Sequence, residues 1–489
     1  MKLYHNAKFY SMVIEGDYFS AVLVENGLIK ECFSKKPQLL NVEEIDLDGA
    51  TIFPGFTDSH THSFEGGLYS LGANLNSATS ISEVLELIAT SPLVGNYKFA
   101  FSLDENQLKE RRFPTKDELD KVCPNNPLLV RRVDGHSCVI NSKALEIINF
   151  GEKLSTDFNG FLNREKNDIA AHTFHNTLTD DAIISSYMAA NKIALKSGIT
   201  TVHTMIGDAQ YNYNHFPLIQ SNLDKFDIDF ILYPQILDVK KAIEVGSKRV
   251  GGCILADGSF GSHTAALTQP YSDQPDNSGA LYQSDEFWNN FVLDAHQNDL
   301  QVGVHCIGDK AIEQIVNAFV HAQKKEFKNL KHQIIHNELM SDSSLELMKK
   351  YKISAVMQPM FDKLWGGENG FYSKVIGVDR ALKMNRLKTI YDSGVLLAGS
   401  SDWYITTLDI LEQLQAAISM TNKAEQLSVH EALTIYTKNS ALLSNSNNGT
   451  IQNGKIADFT LLENDPFVTK SFLNNRVVAV VKRGTLINV

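Results

Sequence analysis

Apolar positions in this chain follow two periods, and the change from one to the other divides it. The opening fifty or so residues carry short runs of β-branched and aromatic residues. Ala7-Lys8-Phe9-Tyr10, Ser20-Ala21-Val22-Leu23-Val24 and Leu28-Ile29-Lys30-Glu31-Cys32 read as strands. Asn26-Gly27, between the second and third runs, predicts a type I′ hairpin because both residues tolerate positive φ. Runs of the same kind return near the other end: Gly449-Thr450-Ile451, Ala457-Asp458-Phe459-Thr460-Leu461-Leu462, and Val477-Val478-Ala479-Val480-Val481 ahead of Arg483-Gly484. Neither end is long enough to bury a core alone, so residues 1–50 and 449–489 are expected to pair into one small β-sandwich domain.

Between the ends, buried-strand patterns alternate with amphipathic helical ones. The strand candidates are Thr51-Ile52-Phe53, Ile199-Thr200-Thr201-Val202-His203, Asp229-Phe230-Ile231-Leu232-Tyr233, Cys253-Ile254-Leu255-Ala256, Val302-Gly303-Val304-His305, Gln333-Ile334-Ile335-His336, Ile353-Ser354-Ala355-Val356-Met357 and Val395-Leu396-Leu397-Ala398-Gly399. Alternation of this kind implies a parallel sheet in an α/β fold. The closed form for eight strands is a (β/α)₈ TIM-type barrel over residues 51–448; an open doubly wound sheet competes with it. The stretch from about 64 to 190 is too long for one crossover and holds helices and a strand-like Leu128-Leu129-Val130 of its own. It reads as an insertion after the first strand that could roof the barrel mouth.

The polar residues fall at the ends of these strands. His60 and His62 close the first, Cys253 and Asp257 flank the fourth, His305 ends the fifth, His336 the sixth, and Ser400-Ser401-Asp402 follow the eighth. His60 and His62, two apart on a strand, share a face and can present two nitrogens to one cation. A His-x-His pair by itself is also what two surface histidines look like. In a barrel, however, all C-terminal strand ends open on one face, so residues separated by about 340 positions would converge there. Imidazole, thiol and carboxylate around one mouth make a donor set for a divalent ion, with Zn²⁺ the expected one, and so predict a catalytic metal site.

Composition narrows the partners. The 489 residues are 43% hydrophobic and 21% charged, as in ordinary globular proteins. No apolar run approaches the roughly 20 residues of a membrane span, and the N-terminus shows no signal core, so a cytoplasmic location is the default. Five cysteines, odd in number and irregularly spaced, give no disulfide framework. A net charge of −12 argues against nucleic acid or an anionic membrane as the main partner. A small-molecule substrate fits better.

Several segments together resemble the amidohydrolase superfamily, in particular its long-insert branch of N-substituted formamide deformylase-like proteins, over nearly the whole chain. They are Phe53-Pro54-Gly55-Phe56-Thr57-Asp58-Ser59-His60-Thr61-His62, Asp134-Gly135-His136 with Asn141-Ser142-Lys143-Ala144-Leu145, Ala256-Asp257-Gly258-Ser259-Phe260-Gly261-Ser262, His305-Cys306-Ile307-Gly308-Asp309-Lys310-Ala311, Met357-Gln358-Pro359, Ser400-Ser401-Asp402 and Gly454-Lys455-Ile456-Ala457-Asp458-Phe459. The resemblance implies that His60, His62, His305, His336 and Asp402 bind one or two metal ions, with Asp402 as general base. It implies hydrolysis of a carbon–nitrogen bond in an amide, cyclic amide or N-acyl compound, and, by analogy, a homodimer. Deamination on the same site and a non-catalytic scaffold are the alternatives. One position departs from the pattern: relatives carry a metal-bridging lysine where this chain has Cys253. A thiolate is a good zinc ligand, whereas a small buried residue is the plainer reading. Asp402 could also cap a helix. His136, His263 and Asp257 stand in matching motifs outside the ligand set, as substrate contacts or as structural hydrogen-bonding residues. His203 ends the second strand without a role. Trp365, Trp403, Phe361 and Tyr404 line a pocket or fill core.

Overall fold

A computed structural model describes every residue except Asp134, His136, Thr156 and residues 208–214, and describes Arg164 by its backbone alone. The chain forms two compact units, Met1–His62 with Ile193–Val489, and Ser63–Lys192. It opens with five strands: β1 (Lys2–Tyr10), β2 (Tyr18–Glu25), β3 (Leu28–Phe33), β4 (Glu43–Asp46) and β5 (Thr51–Pro54). β2 and β3 are antiparallel partners joined through Asn26 and Gly27, whose φ values are 50° and 76°, as a type I′ turn requires.

β5 departs from the sequence expectation. Thr51-Ile52-Phe53 reads as the first strand of the parallel array, yet β5 pairs with β1 through Lys8↔Thr51 and Phe9↔Ile52 and so belongs with the chain ends. The break is at Pro54-Gly55. Pro54 has no amide hydrogen to continue a ladder, and Gly55 donates to the Asp458 carbonyl at 2.8 Å. A β-carbon at Gly55 would stand 2.2 Å from Thr200 Oγ1, so only glycine passes there before the chain restarts as β6 (Phe56–Thr61).

The second unit holds β7 (Ala73–Asn74), β8 (Lys98–Leu103), β9 (Leu128–Arg132), β10 (Ser137–Ile140) and β11 (Phe161–Asn163) in the order β11-β10-β9-β8-β7. Its core gathers Val84, Ile88, Ala100, Leu103, Leu119, Leu128 and Val130. Asn141, one of the motif residues, is structural here. Its Oδ1 accepts from the amides of Leu128 and Ala144, capping the short helix Ser142–Leu145.

The array resumes with β12 (Ile199–Ile206), β13 (Asp229–Pro234), β14 (Arg249–Leu255), β15 (Gln301–Cys306), β16 (Gln333–His336), β17 (Ser354–Met357) and β18 (Leu397–Gly399). All pairings among them and β6 are parallel, in two sheets: β13-β12-β6 and β14-β15-β16-β17-β18. Helices connect the strands. In Asp309–Lys325, residues Ala311, Ile312, Ile315, Val316, Phe319 and Ala322 are buried, the 3-to-4-residue spacing of one apolar face. This is the TIM-barrel-like mixed α/β architecture. The two ends of the chain meet in one further sheet: β19 (Phe459–Leu462) lies between β5 and β20 (Val477–Lys482), and β21 (Thr485–Asn488) is at the edge. Tyr4, Phe9, Val22, Ile52, Phe459 and Val481 form its core. Behind it the buried Lys482 ammonium joins Asp458 at 2.6 Å and Asp229, at the start of β13, at 2.7 Å.

A buried imidazole pair stabilises the N-terminal ends of β15 and β16. His332 Nδ1 accepts from the Val302 amide at 3.0 Å, so its proton sits on Nε2 and is given to His296 Nδ1 at 2.9 Å. His296 Nε2 in turn donates to the Glu326 carbonyl at 2.8 Å. Every ring nitrogen is satisfied only while both rings are neutral. Burial first, and the neighbouring His296 second, push the His332 imidazole down to about 3. Below about pH 6.5 the unfolded chain takes up a proton that the folded chain refuses, so this contribution is complete above that pH and is lost as pH falls toward 3. Histidine-selective NMR should show His332 signals that do not titrate between about pH 7.5 and 5, while the melting temperature declines over the same interval. A normal titration of His332 in the folded protein would contradict this.

Candidate metal centre

Four strand ends and one loop build the site. His60 lies near the end of β6 and His62 just past it, and their rings meet edge to face with centroids 5.4 Å apart. Each Nε2 is 3.2 Å from Asp402 Oδ1, which arrives from the loop after β18. His305 on β15 and His336 at the end of β16 have centroids 4.6 Å apart, and His336 lies 5.4 Å from His60. Cys253 joins the two pairs. Ligand atoms of His60, His62 and Cys253 all lie within 4.8 Å of one another, and so do those of Cys253, His305 and His336.

Cys253 reaches this position through a bulge. Gly251 and Gly252 have φ of 85° and 92°, and the β14–β15 register shifts between Gly251 and Ile254. A β-carbon at Gly252 would strike Met205 Sδ at 2.2 Å, and one at Gly251 the Gly303 carbonyl at 2.4 Å. The histidines are aimed by their other nitrogens. His305 Nε2 faces the Gly258 carbonyl at 3.1 Å, leaving Nδ1 toward the Cys253 sulfur at 4.0 Å. His336 Nδ1 donates to Gln358 Oε1 at 2.9 Å, and Gln358 Nε2 donates to Ser400 Oγ at 2.9 Å. His336, Asn337 and Asp402 all have positive φ, 69°, 53° and 56°, in the left-handed region that Asn, Asp and His enter more readily than other non-glycine residues.

The buried Asp58 carboxylate ties down the loop that carries Asp402, a role the sequence reading did not find. Its Oδ1 accepts from the amides of His60 and Ser401 at 3.2 and 3.0 Å, and its Oδ2 from Gln413 Nε2 at 3.3 Å. It thereby ties the strand of the paired histidines to the loop of Asp402. The Asp402 amide closes the junction by donating to the His60 carbonyl at 3.0 Å. Gln358 is likewise new, although Met357-Gln358-Pro359 was one of the matching segments.

The acidic and imidazole groups of the site shift one another strongly. Burial alone would raise the Cys253 thiol, but His305, His336, His60 and His62 outweigh it and hold the thiol well below its ordinary value. Burial would likewise raise Asp402, and the imidazoles of His60 and His62 keep its carboxyl below the usual carboxylate range. The reciprocal effect lifts His62 and His60 above the normal imidazole value and His305 to about 9, against burial in each case. Burial and the charge of His305 push His336 down instead. Two anionic groups thus sit among four imidazoles. Both nitrogens of His60 and Asp402 Oδ1 are buried without a hydrogen bond among the described residues. Convergent, unbonded nitrogen and oxygen donors beside a thiolate are a donor set for a borderline divalent ion, so the residues fit one or two such ions.

The remaining candidates fall elsewhere. Asp257 is fully buried, and its oxygens accept from the amides of Ala266, Ile307 and Gly308; it anchors the loop after β14, with Oδ1 3.8 Å from His305 Nε2. His263 pairs with Asp273 on that same loop at 2.9 Å and packs on Tyr271. His136 lies outside the described residues. His203 is buried beside Tyr233, its Nδ1 3.5 Å from the hydroxyl. Phe361 is buried and stacked on His336, whereas Trp365, Trp403 and Tyr404 are partly exposed.

The chain is similar to known proteins along nearly its whole length. A model of the Amidohydrolase family matches residues 43–487. A putative amidohydrolase, YtcJ of Bacillus subtilis (strain 168), is 28% identical, the match covering 97% of this chain and 99% of that protein. N-substituted formamide deformylase of Arthrobacter pascens is 22% identical over 91% of this chain and 90% of its own length. The crystal structure of an uncharacterized metal-dependent hydrolase from Pyrococcus furiosus superposes with a TM-score of 0.81 at 27% identity, covering 95% of this chain and 99% of that one.

Proposed function

The chain belongs to the amidohydrolase family and is an enzyme of carbon–nitrogen bonds other than peptide bonds; from that premise we propose that it hydrolyses an amide, cyclic amide or N-acyl bond with one or two divalent ions, Zn²⁺ the expected one, held by His60, His62, Cys253, His305, His336 and Asp402. The observation that carries this reading is the pair of donor triads that share Cys253. A bound divalent ion supplies Lewis acidity, lowering the pKa of water from 15.7 toward about 7 and polarising an acyl oxygen. Asp402 takes the proton of the attacking water on its carboxylate and returns it to the leaving nitrogen, so one group serves as base and then as acid. His60 and His62 hold that carboxyl in its ionised form. Gln358 and the Gly258 carbonyl orient the His336 and His305 rings so that each turns its other nitrogen toward the centre.

The same reading extends to the architecture. We take the two parallel sheets to close as one (β/α)₈ barrel, supported by the Thr61↔Trp403 bridge between the end of β6 and the segment after β18. The sheet of the chain ends is taken to fold over its core as a sandwich, and residues 64–190 to be the insertion. The substrate is a small molecule and the compartment the cytoplasm, with two copies forming a dimer. No helix among the described residues is long and apolar enough to cross a membrane.

Metal analysis tests the core of the proposal. Protein purified without chelator should carry about one to two equivalents of divalent metal per chain, and stripping and restoring that metal should abolish and restore amine release from a panel of amides and N-formyl compounds. Under about one-tenth equivalent would favour the scaffold. Ammonia released from a ring amidine, without ring opening, would identify the deaminase.

A further inference from the structure

One buried carboxyl group just past the end of β16 has no place in that scheme. Glu338 follows His336 and Asn337 on the segment leaving β16, where the Asn385 amide donates to its carbonyl at 2.8 Å and the Leu339 amide to Ile307 at 3.2 Å. It is 2% exposed. The Tyr372 hydroxyl lies beside it, and its carboxyl is within electrostatic reach of His305, Asp257 and Asp402. Nevertheless Glu338 Oε2 is buried without a hydrogen-bond partner among the described residues. Leu339, the next residue, and Ile307 belong to an apolar cluster with Phe260 and Tyr372. A buried carboxyl oxygen two residues past His336 that lacks a donor is matched by a ligand that brings one. Asp402 follows β18 and Glu338 follows β16, so the two acidic groups leave different strand ends.

Resting on the amide-hydrolase reading, we propose that Glu338 is a specificity-determining residue whose free oxygen accepts a hydrogen bond from an N–H beside the scissile acyl carbon, so that the enzyme selects secondary and cyclic N–H amides over N,N-disubstituted ones. The oxygen retains an acceptor lone pair in either protonation state.

The test uses a matched pair of metal-binding probes, acetohydroxamic acid and its N-methyl derivative, titrated calorimetrically into the metal-loaded protein. Wild type should prefer the N–H probe by about tenfold or more. In Glu338→Leu that preference should fall to about threefold or less with metal per chain unchanged, and Glu338→Gln, which keeps an acceptor oxygen, should retain it. Should Glu338→Leu not fold, the unbranched Glu338→Met takes its place. An equal preference in wild type and Glu338→Leu, or none in wild type, overturns the proposal. Metal-loaded wild type that binds neither probe overturns it too but leaves the hydrolase reading standing, since that is judged by metal content and amine release.

Discussion

Replacing Asp402 by asparagine is expected to lower kcat by roughly 10²-fold or more while leaving the fold and most of the metal in place. Asparagine matches the carboxylate in shape and keeps one oxygen toward His60 and His62, now 3.2 Å away in each case. It cannot accept a proton. The loop conformation should survive, because the loop of Asp402 is held by bonds to backbone atoms and to the neighbouring Ser401: the Asp402 amide on the His60 carbonyl, and the Ser401 amide on Asp58. Losing the carboxylate also removes the charge that lifts the His60 and His62 imidazoles, so these rings shed protons more readily and remain available as donors. The measurements are kcat on an amide substrate, metal per chain and the circular dichroism spectrum of the same preparation. Near wild-type turnover at full metal occupancy would remove Asp402 from the chemistry.

Much of this site is legible in the sequence because its residues stand at strand ends, where hydrophobic pattern and polar termination coincide. His305 ends Val302-Gly303-Val304 and His336 ends Gln333-Ile334-Ile335, and these are the places where the structure gathers the imidazoles. What stays hidden is what depends on partners far along the chain. Asp58 reads as one polar residue in a β-branched and aromatic run; its meaning is the Ser401 amide more than three hundred positions away. Glu338 looks like a solvent-facing acid just before a helix, and nothing in the local pattern shows that the segment 337–340 is buried. The fate of β5 was equally invisible, since a buried β-branched strand looks the same whether its neighbour is β6 or β1. Pro54, without an amide hydrogen, and the close approach at Gly55 separate the two. The Gly251-Gly252 pair did carry a local signal. Two glycines before a cysteine mark a bulge, and the bulge is what brings the sulfur among the histidines.

Cys253→Ser should therefore have the largest effect on metal content of any single change outside the histidines. The sulfur is common to both donor triads, so its loss weakens both at once. With the thiol held well below its ordinary value by four imidazoles, the native residue offers a thiolate at neutral pH, a good zinc ligand that can bridge two ions. A serine hydroxyl in the same place stays protonated and binds zinc poorly. Metal per chain should fall by at least one equivalent where two are bound, and activity should fall with it. The competing account treats Cys253 as packing in the bulge of β14. On that account the substitution buries one hydroxyl, at about 1–3 kcal/mol if it finds no partner, and leaves metal untouched. A lowered melting temperature is compatible with both, so it decides nothing. Stoichiometry decides: folded Cys253→Ser protein with the wild-type number of metal ions would end the bridging role. A protein reduced to one ion by this change, yet carrying intact His60, His62, His305, His336 and Asp402, would leave the thiolate as the group that makes the second site.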